Sequence, residues 1–323
     1  MIFTTSDGKI ARTSPVPFAE VVEDLRGKYG AANALRDSQA RSPVPFAEVV
    51  EDLSGKYGVA NALRDSQDRG LRPLTSPQLL DLRLDCPSIK DPLWSNWYTT
   101  ASGVYVVGDS VYVVHGSKHP LTSHERVRSA VDEGLVKYAA KLTPEESQLF
   151  NNRKVEGLRD YEAFLRETQD KDLPGEQFGV VVKASMLRDL PNDYMKLSKW
   201  VKDPRAVMLA GGKRRAEAYA EVLDKNKIEK PYLGLEAEQD KADRGRLVFV
   251  GDDDDYYGLY GYDYLYSNGR FVGVAPEAQV DVAPKNGEPQ VSLENRIELL
   301  QGGKVLVHEG RTYVLAPEGL ELR

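Results

Sequence analysis

Residues 14–69 contain nearly the same 28-residue phrase twice, with no gap between the copies. SPVPFAEVVEDLRGKYGAANALRDSQAR (14–41) runs directly into SPVPFAEVVEDLSGKYGVANALRDSQDR (42–69), and the copies differ only at Arg26/Ser54, Ala31/Val59 and Ala40/Asp68. Whatever the rest of the chain folds into must accommodate one module two times.

In the first copy Pro15 and Pro17 stiffen the start, and Pro17 suits a first helical turn, where its missing N–H costs nothing. Phe18, Val21, Val22, Leu25 and Tyr29 then recur at helical spacing and share one face, with Glu20, Glu23 and Asp24 opposite. Gly30 is a natural helix stop, and residues 31–39 read as a second, shorter helix anchored by Leu35. The spacing therefore predicts a helical hairpin. The second copy repeats it with Phe46, Val49, Val50, Leu53, Tyr57 and Leu63.

So small a hairpin cannot bury its own stripe. The stripes pack on each other or on the rest of the chain, or they form a bivalent docking surface for a protein partner. In the docking case the contact residues are Phe18, Val22, Leu25 and Tyr29 with Phe46, Val50, Leu53 and Tyr57. A helix-turn-helix is the third use. Residues 12–69 carry eight Lys/Arg against nine Asp/Glu, so no basic field draws the module to nucleic acid.

Composition bounds the remainder. A chain of 323 residues, 41% hydrophobic and 29% charged, has room for two domains or one large one. A net charge of −7 argues against wholesale binding to nucleic acid or anionic membranes. One cysteine, Cys86, excludes an intramolecular disulfide and a Cys-rich zinc site, and suits a reducing cytoplasm. No window approaches transmembrane length and the first residues lack an apolar leader core, so a cytoplasmic address is expected, with no membrane partner.

Along the chain, residues 1–13 suggest a β-hairpin around Ser6-Asp7-Gly8, followed by the repeats. Residues 70–92, with Pro73, Pro77, Pro87 and Pro92, read as a linker. A mixed α+β domain is expected over 93–230. Its centre is a hairpin in which Val104–Val107 and Val111–Val114 flank Gly108-Asp109, apolar on both faces. Trp94, Trp97 and Tyr98 are expected to pack against it. Helix starts follow at Ser123 and Thr143, and a helix is expected over 153–169. An apolar strand is expected from Phe178, then two helices broken at Gly211-Gly212. Residues 231–323 turn to β, with hairpin turns at Ser267-Asn268-Gly269 and Glu309-Gly310. The fold class is α+β: duplicated helical hairpins, a mixed middle and a β-rich end with antiparallel hairpins.

Few constellations could carry chemistry. His115, His119 and His124 lie close in sequence and are of metal-ligating type, at spacings that match no zinc pattern. Asp252, Asp253, Asp254 and Asp255 follow an apolar strand and could hold Mg or Ca, as a phosphoryl-transfer or hydrolytic enzyme would require; otherwise they are an acidic loop. Tyr260, Tyr262, Tyr264 and Tyr266 alternate, which places them on one face of a strand as a partner-contact surface or a half-buried sheet face. No nucleophile elbow or Walker loop is present, and no catalytic residue is assigned.

HPLTSHERVRSAVDEGLVKYAAKLTPEE (119–146) together with GLYGYDYLYSNGRFVGVAPEA (258–278) resembles an uncharacterised group of proteins from small-genomed archaea. The resemblance covers residues 100–280 and leaves the repeats outside it. It implies a self-standing body to which the repeat was added, and it carries no activity or cofactor. The sequence as a whole favours a non-enzymatic cytoplasmic interaction protein with no cofactor and a protein partner, ahead of the metal-dependent enzyme and of nucleic-acid binding.

Overall fold

The Gly108-Asp109 turn sets the centre of the fold. The computed structural model describes residues 2–4, 10–12, 47–53, 55–86, 88–89, 91, 93–173, 175, 177–238, 242–251, 257–261, 265–274, 305–308 and 311–314. The chain divides into two units, Glu48–Val274 and a second made of Met1–Ala47 with Ala275–Arg323. In the second unit β1 (Ile2–Thr4) pairs antiparallel with β2 (Ile10–Arg12), as the expected hairpin requires. The last strands among the described residues, β15 (Val305–His308) and β16 (Arg311–Val314), also pair antiparallel. The first repeat copy, including Phe18, Val22, Leu25 and Tyr29, lies outside the described residues, as does Phe46.

In the larger unit the elements in order are β3 (Ala47–Asp52), α1 (Gly58–Asp68), β4 (Arg72–Pro73), α2 (Ser76–Asp85), β5 (Tyr98–Val107) and β6 (Ser110–His115). Then come α3 (His124–Glu133), β7 (Ala140–Lys141), α4 (Pro144–Asn151), β8 (Leu158–Asp160), α5 (Tyr161–Glu167), β9 (Phe178–Lys183) and β10 (Asp193–Tyr194). The unit closes with α6 (Leu197–Trp200), α7 (Pro204–Ala210), α8 (Lys213–Lys225), β11 (Tyr232–Leu235), β12 (Arg244–Val250), β13 (Leu259–Gly261) and β14 (Gly269–Val274). It is an α+β body around a mostly antiparallel sheet.

β5 organises that sheet. One edge pairs with β12, from Val106 opposite Arg244 to Tyr98 opposite Val250. The other edge takes β14 at Thr99 and β6 from Ser102 to Val107. β6 continues to β9, and β12 continues through β13 and β11 to the edge strand β10. Every residue of β5 and β6 is buried, as two apolar faces require. Side chains alternate between faces, so one face carries Tyr105, Tyr112, Leu247 and Phe249 into a core with α1, Val127 of α3 and Phe150 of α4. The other carries Ser102 and His115 toward α2 and α7.

The helix ends follow their caps. Thr143 forms a capping box with Glu146, Ser123 accepts from the Arg126 N–H, and Gly211 ends α7 in the left-handed conformation at φ 71 before α8 begins. Buried arginines tie loops to the sheet. Glu236 accepts from Arg244 Nη2 at 2.7 Å and Arg246 Nε at 2.5 Å, so one half-buried carboxylate is matched by two guanidinium groups.

Four expectations are corrected. Residues Ala47–Asp52, expected as the helix of the second copy, form β3 beside β14. Adjacent, β-branched Val49 and Val50, both buried, suit a strand covered on both faces as well as one face of a helix, and pairing with β14 decides between them. Only the shorter helix of that hairpin, α1, is helical. The 70–92 stretch contains β4 and α2, whose Thr75–Gln78 capping box and buried Leu79, Leu80 and Leu82 build it into the body in place of a linker. The 153–169 helix begins only at Tyr161, because Arg153 and Gly157 adopt positive φ and Leu158–Asp160 pairs parallel with β9. Lastly, Ser267-Asn268-Gly269 joins β13 to β14 without making a hairpin: β13 pairs with β11 and β12, β14 with β4 and β5.

Candidate functional site

The three histidines do not converge. His115 is buried between the sheet and α7, and its Nε2 donates to the Met208 carbonyl at 3.0 Å. That leaves Nδ1 as the acceptor of the Ser102 hydroxyl at 2.8 Å, while Ser102 Oγ accepts from the Ser76 N–H. His119 repeats the pattern: Nε2 donates to the Ala101 carbonyl, and Nδ1 accepts from the Tyr105 hydroxyl at 2.6 Å. Both rings are neutral, and burial holds their pKa down, to about 3 for His115 and about 4 for His119. The same burial raises the Tyr105 phenol above its usual range. His124 lies apart at the start of α3, on Gln67 and Glu125.

Every ring nitrogen of His115 and His119 is engaged with protein, which leaves no lone pair for a metal. No group of three metal-ligating side chains forms among the described residues, so the histidine metal site is withdrawn. Asp252, Asp253, Asp254 and Asp255 lie outside the described residues.

The tyrosine row takes a different form from the one expected. Tyr260 is in β13 and buried, and β13 ends at Gly261. Tyr266 sits in the following turn, 40% exposed, against Tyr138 at 5.5 Å. Tyr262 and Tyr264 lie outside the described residues. The two described members differ in setting, Tyr260 buried in the strand and Tyr266 exposed beyond it, next to the buried Leu265 whose N–H donates to the Tyr138 carbonyl.

The sheet assembles another row, across strands. Phe249 of β12 stands opposite Tyr260 of β13, and Tyr260 opposite Gly234 of β11. Because Gly234 has no side chain, Tyr232 stacks on Tyr260 with ring centroids 4.6 Å apart and planes within 3°. Tyr194 of β10, opposite Tyr232 in register, meets it edge-on at 5.2 Å. At the inner end Trp97 packs on Phe249 at 5.9 Å and lies under the Arg270 guanidinium at 5.0 Å. Exposure rises along the row: Phe249 3%, Tyr260 4%, Tyr232 half-buried, Tyr194 47%. It opens at the sheet edge. Tyr194 and Tyr232 were missed in the sequence because pairing across strands leaves no periodicity in either segment.

The described part of the second repeat copy contributes to the core. Val50 is fully buried, as are Val59, Ala62 and Leu63 of α1. Of its remaining expected contact residues, Leu53 is exposed, and Tyr57 gives its hydroxyl to Asp132 at 2.5 Å with Arg128 over its ring. A groove of about 540 Å³ runs between α1 and α3, lined by Arg64, His124, Glu125, Arg128 and Asp132. Its charges are mixed. Among the described residues no helix is long and apolar enough to cross a membrane.

No protein-family model matches the chain, and no curated protein matches it. One solved structure does, described as "Accommodation of massive sequence variation in Nanoarchaeota by the C-type lectin fold". It is 21% identical, with a TM-score of 0.56 over 71% of this chain and 97% of that one. The chain thus shares the C-type lectin fold with an archaeal protein, and the likeness extends to the fold alone.

Proposed function

We propose that this chain is a non-enzymatic, cytoplasmic interaction protein whose protein partner docks on the open end of the cross-strand aromatic row, at Tyr194 and Tyr232. The observation that carries this reading is the graded exposure from Phe249 to Tyr194. Rings fixed from beneath lose little freedom on binding, and tyrosine adds area and a hydroxyl at small entropic cost. The solved neighbour's fold is described as accommodating massive sequence variation, and a frame tolerant of surface change suits a binding role.

The test is affinity capture on the immobilised full chain, followed by measurement of the captured protein's Kd. Tyr194→Ala is expected to weaken binding about tenfold or more, and Tyr266→Ala, an exposed tyrosine off the row, to leave it unchanged. Equal affinity for wild type and Tyr194→Ala would remove the proposal.

A further inference from the structure

The second repeat copy is held by contacts that the first copy duplicates residue for residue. Glu51 accepts from Arg270 Nε at 2.6 Å. Gly55, at φ +83, turns the chain and donates its N–H to Asn268 Oδ1. Gly58 crosses β14 so closely that a Cβ there would lie 2.9 Å from Gly269 N, and the Val59 N–H donates to the Ser267 carbonyl. Further on, Leu63 and Ser66 are buried, and Gln67 meets His124 at 2.7 Å. Twenty-eight residues earlier stand Glu23, Gly27, Gly30, Leu35, Ser38 and Gln39, the same residue at every position.

Of the three differences, two fall on described positions. Asp68, where copy one has Ala40, is exposed, and position 54 lies outside the described residues. Val59, fully buried, is traded for a smaller residue, Ala31.

We infer that the seat formed by β14, the 265–268 turn and α3 is a binding site with two ligands in the same chain. Residues 14–41 replace residues 42–69 in it, shifting the register by 28 positions. Copy one ends at Arg41 as copy two ends at Arg69, so the displaced segment leaves and rejoins the body at one point. The cost of closing such a loop grows only slowly with its length. Val59 sets the balance: its two additional buried methyl groups favour copy two by roughly tenfold to a hundredfold.

Leu63→Asp, which forces a carboxylate into the seat, tests this in the full chain. The single variant is expected to stay folded, rescued by copy one, with the small loss of an Ala31-for-Val59 exchange. Leu35→Asp alone is expected to change nothing. The double variant is expected to drop Tm by roughly 10 °C or more. Amide hydrogen exchange read by mass spectrometry separates the copies, and in Leu63→Asp protection is expected to move from residues 47–68 to residues 19–40. A single variant as damaged as the double, or protection that stays in place, overturns the inference. So does a rescue that depends on protein concentration, which would seat a neighbour's copy instead. Two deletions test it independently, because removing 14–41 or 42–69 yields chains that differ at three positions only. Both are expected to fold, with Ala31→Val closing the gap in midpoint between them; failure of the 42–69 deletion to fold overturns the inference.

Discussion

The buried histidines and the aromatic row are built from the same sheet and end in opposite conditions. Around His115 and His119 every donor and acceptor is matched: ring nitrogens to carbonyls and hydroxyls, and Ser102 to a backbone N–H. The row is covered unevenly: Tyr260 is buried against Tyr232, Tyr232 meets Tyr194 edge-on, and Tyr194 is 47% exposed. Residues with the chemistry of catalysis are here used as internal struts, while residues with only surface to offer reach the edge. Residue type alone does not mark a site.

Acid should break that contrast most strongly. The unfolded chain protonates His115 and His119 near pH 6.5, whereas the folded chain resists down to about 4 and about 3. Unfolded molecules then bind more protons, so stability is retained above pH 6.5 and lost as pH falls toward 4. The loss between pH 7 and 4.5 is about 5 kcal/mol for the pair, read from denaturant midpoints. Within the row, Tyr260→Ala is expected to cost about 3 kcal/mol, as removal of a buried aromatic ring does. Gly269→Ala probes the seat: its Cβ would lie 2.6 Å from Val59 Cα, and a loss of about 1–3 kcal/mol is expected in thermal unfolding. Tyr194→Ala has the smallest effect on stability, within about 0.5 kcal/mol, and thereby separates the open end from the sealed one.

What the sequence disclosed was local. The Gly108-Asp109 hairpin, the Thr143–Glu146 capping box and the Gly211-Gly212 break are each written in neighbouring residues, and each is found. Ala47–Asp52 was misread because two adjacent valines suit strand and helix alike, and its partner β14 lies more than 200 residues away. The cross-strand row was invisible for the same reason. Tyr194, Tyr232 and Tyr260 come from three distant segments, and their alignment depends on Gly234, whose role appears only in register. The histidine cluster failed in reverse: residues close in sequence face separate partners.

The most direct test of the account is a pH titration of the His115 and His119 ring protons by NMR in the full chain. Both are expected to stay flat from pH 8 to pH 5, as sealed neutral rings must. A midpoint near 6.5 at either ring would show that solvent reaches it, and would contradict the division between a closed interior and an open aromatic edge.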